Sequence, residues 1–129
     1  MMLSLGLCDR ENYATVNSKR VAACIRYMKA HIDRPVTLEE LAKEVHLSPY
    51  YLNRIFKRYT DASPGEFMLN LRLSRAKQLL VTTTHPIYII SEMCGYRDPD
   101  YFIRIFKKKI GATPLRYRRV RANLLIKEH

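Results

Sequence analysis

Leu52-Asn53-Arg54-Ile55-Phe56-Lys57-Arg58 returns fifty residues later as Phe102-Ile103-Arg104-Ile105-Phe106-Lys107-Lys108. The echo continues downstream, where Ala62-Ser63-Pro64 matches Ala112-Thr113-Pro114 at the same spacing. Upstream, Leu38, Leu41 and Ala42 match Ile87, Ile90 and Ser91 at a spacing of forty-nine, so the second copy holds one extra residue in its turn. Self-similarity of this kind marks one supersecondary unit used twice. Each copy reads as a short helix, a tight turn and a longer helix. Ala42 and Ser91 are small, as a close helix crossing requires. Gly95 supplies the positive φ that such a turn needs. The matching place in the first copy is Val45-His46, and histidine takes that conformation less readily, which predicts a slightly different first turn.

Working outward, apolar periodicity and capping residues place the remaining helices. Val21, Ile25, Met28 and Ile32 form a one-sided stripe on a first helix that Ser18 can cap and Asp33-Arg34-Pro35 ends. Thr37 and Glu40 make a capping-box pattern ahead of Leu38, Leu41, Ala42 and Val45. Ser48-Pro49 opens the third helix, whose inner side is Leu52, Ile55, Phe56 and Tyr59. Ser63-Pro64 opens a fourth, running to about Val81 on Leu69, Leu73, Ala76 and Leu80. Ile87, Ile90 and Met93 mark the fifth. Asp98-Pro99 opens the sixth, with Phe102, Ile105, Phe106 and Ile110 inward, and Thr113-Pro114 opens the seventh. No alternating strand pattern occurs. The expectation is an all-α fold of seven helices, with two helix-turn-helix subdomains joined by a linker helix. Its domains are a tail or linker remnant at 1–17, a first subdomain at 18–62, the linker helix at 63–82, a second subdomain at 83–121, and a C-terminal tail at 122–129.

The 129 residues carry 23 Lys and Arg against 12 Asp and Glu, a formal net charge of +11. An excess of this size suits a polyanion, because cationic side chains neutralise phosphates and release counterions. No apolar run approaches the ~18 residues of a membrane span. The three cysteines, Cys8, Cys24 and Cys94, are scattered and odd in number, as reduced thiols of a cytoplasmic protein would be. His31, His46, His85 and His129 show no metal-ligand spacing, and Glu39, Glu40 and Glu44 read as a solvated helix face. Neither an enzyme nor a cofactor is expected.

If the apolar side of the third helix faces in, Tyr50, Asn53, Arg54 and Lys57 face out. Arg54 has the geometry to donate two hydrogen bonds to guanine, and Asn53 to pair with adenine. Tyr50 completes this base-contacting set, and Lys57, further along, suits a phosphate. The sixth helix offers Asp100, Ile103, Arg104 and Lys107. Arg104 is its guanine reader. Ile103 suits a thymine methyl, and Asp100 either accepts from cytosine or orients Arg104. Lys107 and Lys108, with Arg118, are assigned to phosphates within a basic run that also holds Lys109, Arg116, Arg119 and Arg121.

These residues together resemble the DNA-binding domain of the AraC/XylS family of bacterial transcriptional regulators, over about 18–121. In the second copy the resemblance rests on Gly95-Tyr96, Tyr101-Phe102-Ile103-Arg104-Ile105-Phe106-Lys107, Gly111-Ala112-Thr113-Pro114 and Tyr117-Arg118. In the first it rests on Leu41-Ala42, Leu47-Ser48-Pro49, Tyr51-Leu52-Asn53-Arg54-Ile55-Phe56-Lys57 and Ser63-Pro64. The connecting helix contributes Arg72, Leu73, Ala76, Leu79 and Leu80. His46, Pro99 and Asp100 depart from the pattern. The resemblance implies that the third and sixth helices enter successive major-groove segments on one face of double-stranded DNA. A linker helix of about eighteen residues would be ~27 Å long, a sensible spacer for readers ~34 Å apart.

The same resemblance implies a sequence-specific transcriptional regulator, usually an activator that touches RNA polymerase, located in the cytoplasm at the nucleoid. A small-molecule effector enters only with a separate N-terminal domain, for which residues 1–17 are too short. Because the copies diverge on their outward faces, the expected site is asymmetric, gripped as by one rigid clamp. A sequence-indifferent basic nucleic-acid-binding protein is the alternative.

Overall fold

The computed structural model describes the backbone of residues 2–128 and the side chains of 14–124. Among these residues there are seven helices and no strand: α1 (Met2–Ala30), α2 (Leu38–Glu44), α3 (Pro49–Thr60), α4 (Pro64–Thr82), α5 (Ile87–Met93), α6 (Pro99–Ile110) and α7 (Pro114–Glu128). They fall into two compact units. The first holds the chain up to Ala30 with Val36–Phe67; the second holds His31–Pro35 and the chain from Met68 onward.

The helices begin where their capping chemistry puts them. Side-chain oxygens of Thr37, Ser48, Ser63, Asp98 and Thr113 accept main-chain N–H bonds of 3.0–3.2 Å from Glu40, Tyr51, Glu66, Asp100 and Arg116. Each satisfies a donor that the first helical turn leaves without a partner. α5, by contrast, starts behind Pro86 without a side-chain cap.

In the first unit α1 packs on α2 and α3. Val21, Cys24, Met28, Leu41, Ala42, Val45, Leu52, Ile55 and Phe56 are buried. In the second, Leu73, Ala76 and Leu80 of α4 meet Ile90, Cys94, Phe102 and Phe106 in one core, covered by Ile87, Tyr96, Ile110 and Tyr117. The repeat extends to the geometry of these cores. Phe56 meets Phe67 edge-on at 5.3 Å, and fifty residues on Phe106 meets Tyr117 edge-on at 5.7 Å.

Both turns follow the same path. The N–H of Leu47 donates to the Ala42 carbonyl (2.9 Å) as that of Tyr96 donates to Ser91 (3.0 Å). His46 has φ 58° and Gly95 φ 87°. His46 takes the left-handed conformation itself, at a smaller φ than Gly95, so the first turn differs only slightly. The longer helices also end alike, Asp61 at φ 60° and Gly111 at φ 93°, each donating its N–H back to Lys57 or Lys107.

Three expectations change. α1 passes through Ser18 without a cap there, so the boundary placed between 17 and 18 lies inside a helix. Asn17 is buried and donates its Nδ2 to the hydroxyl of Tyr51 (3.2 Å). Extending a helix already nucleated fixes one residue per added bond, so it needs no apolar period of its own. Tyr59, expected inward, is 43% exposed, and its hydroxyl reaches the Ala14 carbonyl of α1 (3.1 Å). At the other end, α7 carries on through the expected tail as far as Glu128.

Candidate nucleic-acid interface

The outward faces of α3 and α6 are built by their buried ones. Leu52, Ile55 and Phe56 anchor α3, which leaves Tyr50, Asn53, Arg54 and Lys57 exposed, Tyr50 at 73%. Phe102 and Phe106 anchor α6, which leaves Asp100, Arg104, Lys107 and Lys108 exposed. On each helix the guanidinium and its outward neighbours share one solvent-facing side, as the spacing required. Lysines in the last turn of each helix sit where the helix dipole favours positive charge.

Two of the sequence-assigned residues are placed differently. Ile103 is half-buried and packs against the core of the second unit, so it belongs to the rim of that core rather than to the open face. Arg118 is half-buried as well. Its Nε donates to the Leu80 carbonyl (3.0 Å) and its Nη2 to the Thr83 carbonyl (3.3 Å). It thus satisfies carbonyls at the C-terminal end of α4, which a helix end cannot satisfy itself. Lys107, Lys108, Lys109, Arg116, Arg119 and Arg121 remain exposed around it, and the extra turn residue of the second copy region, Arg97, adds another exposed cation.

Sequence reasoning missed what stands behind α6. Arg72 is 7% exposed. Its Nη1 donates to the carbonyls of Ile32 and Cys94, and its Nη2 to that of Arg34 (2.6 Å). Burial pulls its pKa below the ordinary arginine value. No carboxylate accepts any of these three bonds; main-chain carbonyls solvate the charge. The guanidinium also lies over the Tyr96 ring, 5.8 Å from its centroid. This packing explains Gly95: a Cβ there would fall inside the Arg72 guanidinium and 2.6 Å from the Ile32 carbonyl oxygen. Tyr101, 50% exposed, continues outward, its ring 6.0 Å from Tyr96 and 5.9 Å from the Arg104 guanidinium.

Two thiols, Cys24 and Cys94, are described; the Cys8 side chain lies outside the described residues. Burial pushes Cys24 and Cys94 up to about 11, so both stay protonated. Among the described residues no three His, Cys, Asp or Glu side chains gather as metal ligands would. Among the described residues no helix is long and apolar enough to cross a membrane.

Two copies of a capped helix–turn–helix, each presenting a polar and cationic face on its second helix, define a tandem helix-turn-helix DNA-binding domain. Comparison with known proteins agrees. A family model described as a helix-turn-helix domain matches residues 41–120. The C-terminal domain of AraT, a response regulator from Geobacillus stearothermophilus, superposes with a TM-score of 0.77 at 35% identity, covering 79% of this chain and 85% of that one. A transcriptional regulator with an AraC-type DNA-binding domain from Chromobacterium violaceum gives 0.76 at 31% identity, covering 81% and 94%. The HTH-type transcriptional regulator CdhR of Pseudomonas aeruginosa is 33% identical over 105 residues, which are 81% of this chain and 31% of CdhR. This chain belongs to the AraC/XylS family, as a DNA-binding domain of that type. It spans about a third of the length of CdhR and of most other curated relatives it matches.

Proposed function

We propose that this chain regulates transcription by reading double-stranded DNA sequence-specifically, with α3 and α6 each entering a major-groove segment of an asymmetric site. The observation that carries the reading is the pairing of matched cores with unmatched faces: Tyr50, Asn53 and Arg54 on α3, against Asp100 and Arg104 on α6. Arg54 and Arg104 each donate a fork to guanine, Asn53 pairs with adenine, and Tyr50 and Asp100 shape the neighbouring contacts. Ile103 keeps only its outer edge for a thymine methyl. Lys57, Lys107 and Lys108 hold phosphates and set the register. Arg118 leaves the phosphate set, because α4 occupies its guanidinium. The regulator acts in the cytoplasm as an activator with RNA polymerase as partner, and an effector would act through a separate domain.

Selecting bound duplexes from a random pool, then footprinting, tests this. The expected result is an enriched site with two unlike halves. On it, Arg54→Ala and Arg104→Ala each relax discrimination at one base pair, while Lys57→Ala weakens every duplex alike. The net charge of +11 favours a rival reading, a binder indifferent to sequence. Under that reading no sequence is enriched, and arginine and lysine variants lose affinity equally on cognate and scrambled DNA.

A further inference from the structure

We infer that Tyr101 is a positioning residue for Arg104, holding its guanidinium ready for base recognition before DNA arrives. The inference rests on the base-reading role proposed for Arg104. In the second unit four side chains stand in series from the interior to the surface. Arg72 is fixed by the carbonyls of Ile32, Arg34 and Cys94. Its guanidinium backs the Tyr96 ring at 5.8 Å, Tyr96 backs the Tyr101 ring at 6.0 Å, and Tyr101 faces Arg104 at 5.9 Å. Tyr96 is braced further by Phe102, its ring 5.5 Å away. Tyr101 precedes Arg104 by three residues, so the two are neighbours on the surface of α6. A half-exposed tyrosine with a fixed ring on its inner side has little freedom, and it offers the arginine a π face.

The first copy supplies an internal control. There the matching tyrosine, Tyr51, is half-buried and tied by its hydroxyl to Asn17. Among the described residues no hydrogen bond, ion pair or ring contact holds Arg54. The same helix position therefore serves packing in one copy and supports the reader in the other. An arginine held in place loses less side-chain entropy when it docks than one that is free. Arg104 should then discriminate more sharply at its base pair than Arg54 does.

The test begins in the free protein. In the whole chain, the Arg104 Nε–Hε group should show restricted motion and a ring-current shift in NMR spectra. Both should persist in Tyr101→Phe and disappear in Tyr101→Leu, while the Arg54 signal stays unchanged. Next, on the selected duplex, the position read by Arg104 is the one where Arg104→Ala loses discrimination. Tyr101→Leu is expected to lower discrimination there by about 2- to 5-fold, the range of an exposed cation–π contact. Tyr101→Phe should retain it, and Tyr101→Leu should add nothing in the Arg104→Ala background. The inference is overturned by an Arg104 side chain as mobile in the parent as in Tyr101→Leu. It is also overturned if Tyr101→Leu weakens all duplexes alike, or weakens Arg104→Ala as much as the parent. Equal loss in Tyr101→Phe overturns it too, because the hydroxyl would then be touching DNA. If Arg104→Ala changes no base preference while the NMR contact stands, the reading of Arg104 has failed and the contact has not. Melting Tyr101→Leu and Tyr101→Phe side by side controls for lost folding.

Discussion

The turn at His46 and the turn at Gly95 share a backbone path and a hydrogen-bond pattern, yet they answer to different constraints. His46 is exposed and carries its side chain at a left-handed φ of 58°. Gly95 lies against Arg72 and the Ile32 carbonyl, where no Cβ fits. One turn bears a left-handed residue at the surface. The other is one wall of a buried cationic site, and the ring series that begins at that site ends at Arg104. Two copies of one unit have thus kept their backbone while changing what their turns support.

The comparison breaks most severely at Arg72. Replacing it with Met leaves three carbonyls without a charged donor in a closed space, and a cost of roughly 3–5 kcal/mol is expected. Urea unfolding followed by amide NMR should show the second unit melting first; parent-like stability would remove the difference drawn between the turns. Gly95→Ala comes next. Positive φ and overlap with Arg72 should together cost about 2–4 kcal/mol. His46→Gly, at the matching place, should raise stability by ~0.5–1 kcal/mol, the relief of left-handed strain less the entropy of glycine. Calorimetry that moved both variants the same way would refute the contrast.

On DNA, Arg54→Ala and Arg104→Ala should each cost ~1–3 kcal/mol, at different base pairs. Lys57→Ala should lower the salt slope by about 1 on any duplex, as read from titrations at several ionic strengths. Identical footprints for the two arginine variants would mean that the faces are not read separately. The smallest effect concerns alkaline pH. Burial raises Cys24 and Cys94 from 9.0 to about 11, and Tyr96 from 10.0 to about 12. The unfolded chain therefore ionises first. Stability is unaffected well below pH 9, falls as pH rises from about 9, and levels off as the folded groups ionise at about 11 to 12. The second unit holds two of these groups and the first holds one, so melting at pH 10.5 should weaken the second unit more.

Much of this was legible in the sequence because it depends on local rules. Periodicity set which sides of α3 and α6 are buried, and so exposed Arg54, Asn53, Arg104 and Lys107. Ser48, Ser63, Asp98 and Thr113 marked helix starts. Ile103 was misplaced because helical phase gives an angle and not a depth; at the edge of the apolar stripe, packing decides. Arg72 and Arg118 are cations on helices, and in sequence a buried cation looks like a solvated one. What distinguishes them is the presence of carbonyls from residues up to forty positions away.

The sequence by itself determined the all-α class, the double use of one unit and the divergence of the two outward faces. These follow from spacing, capping chemistry and charge, which act within one or two helical turns or repeat along the chain. Only the tertiary structure decided which arginines stay exposed and which are held inside. It likewise decided why one turn requires glycine and the other takes histidine, and what stands behind Arg104. Each of those outcomes turns on a desolvated charge finding main-chain oxygens, or on a Cβ finding space, and both depend on residues that folding brings together from far apart in the chain.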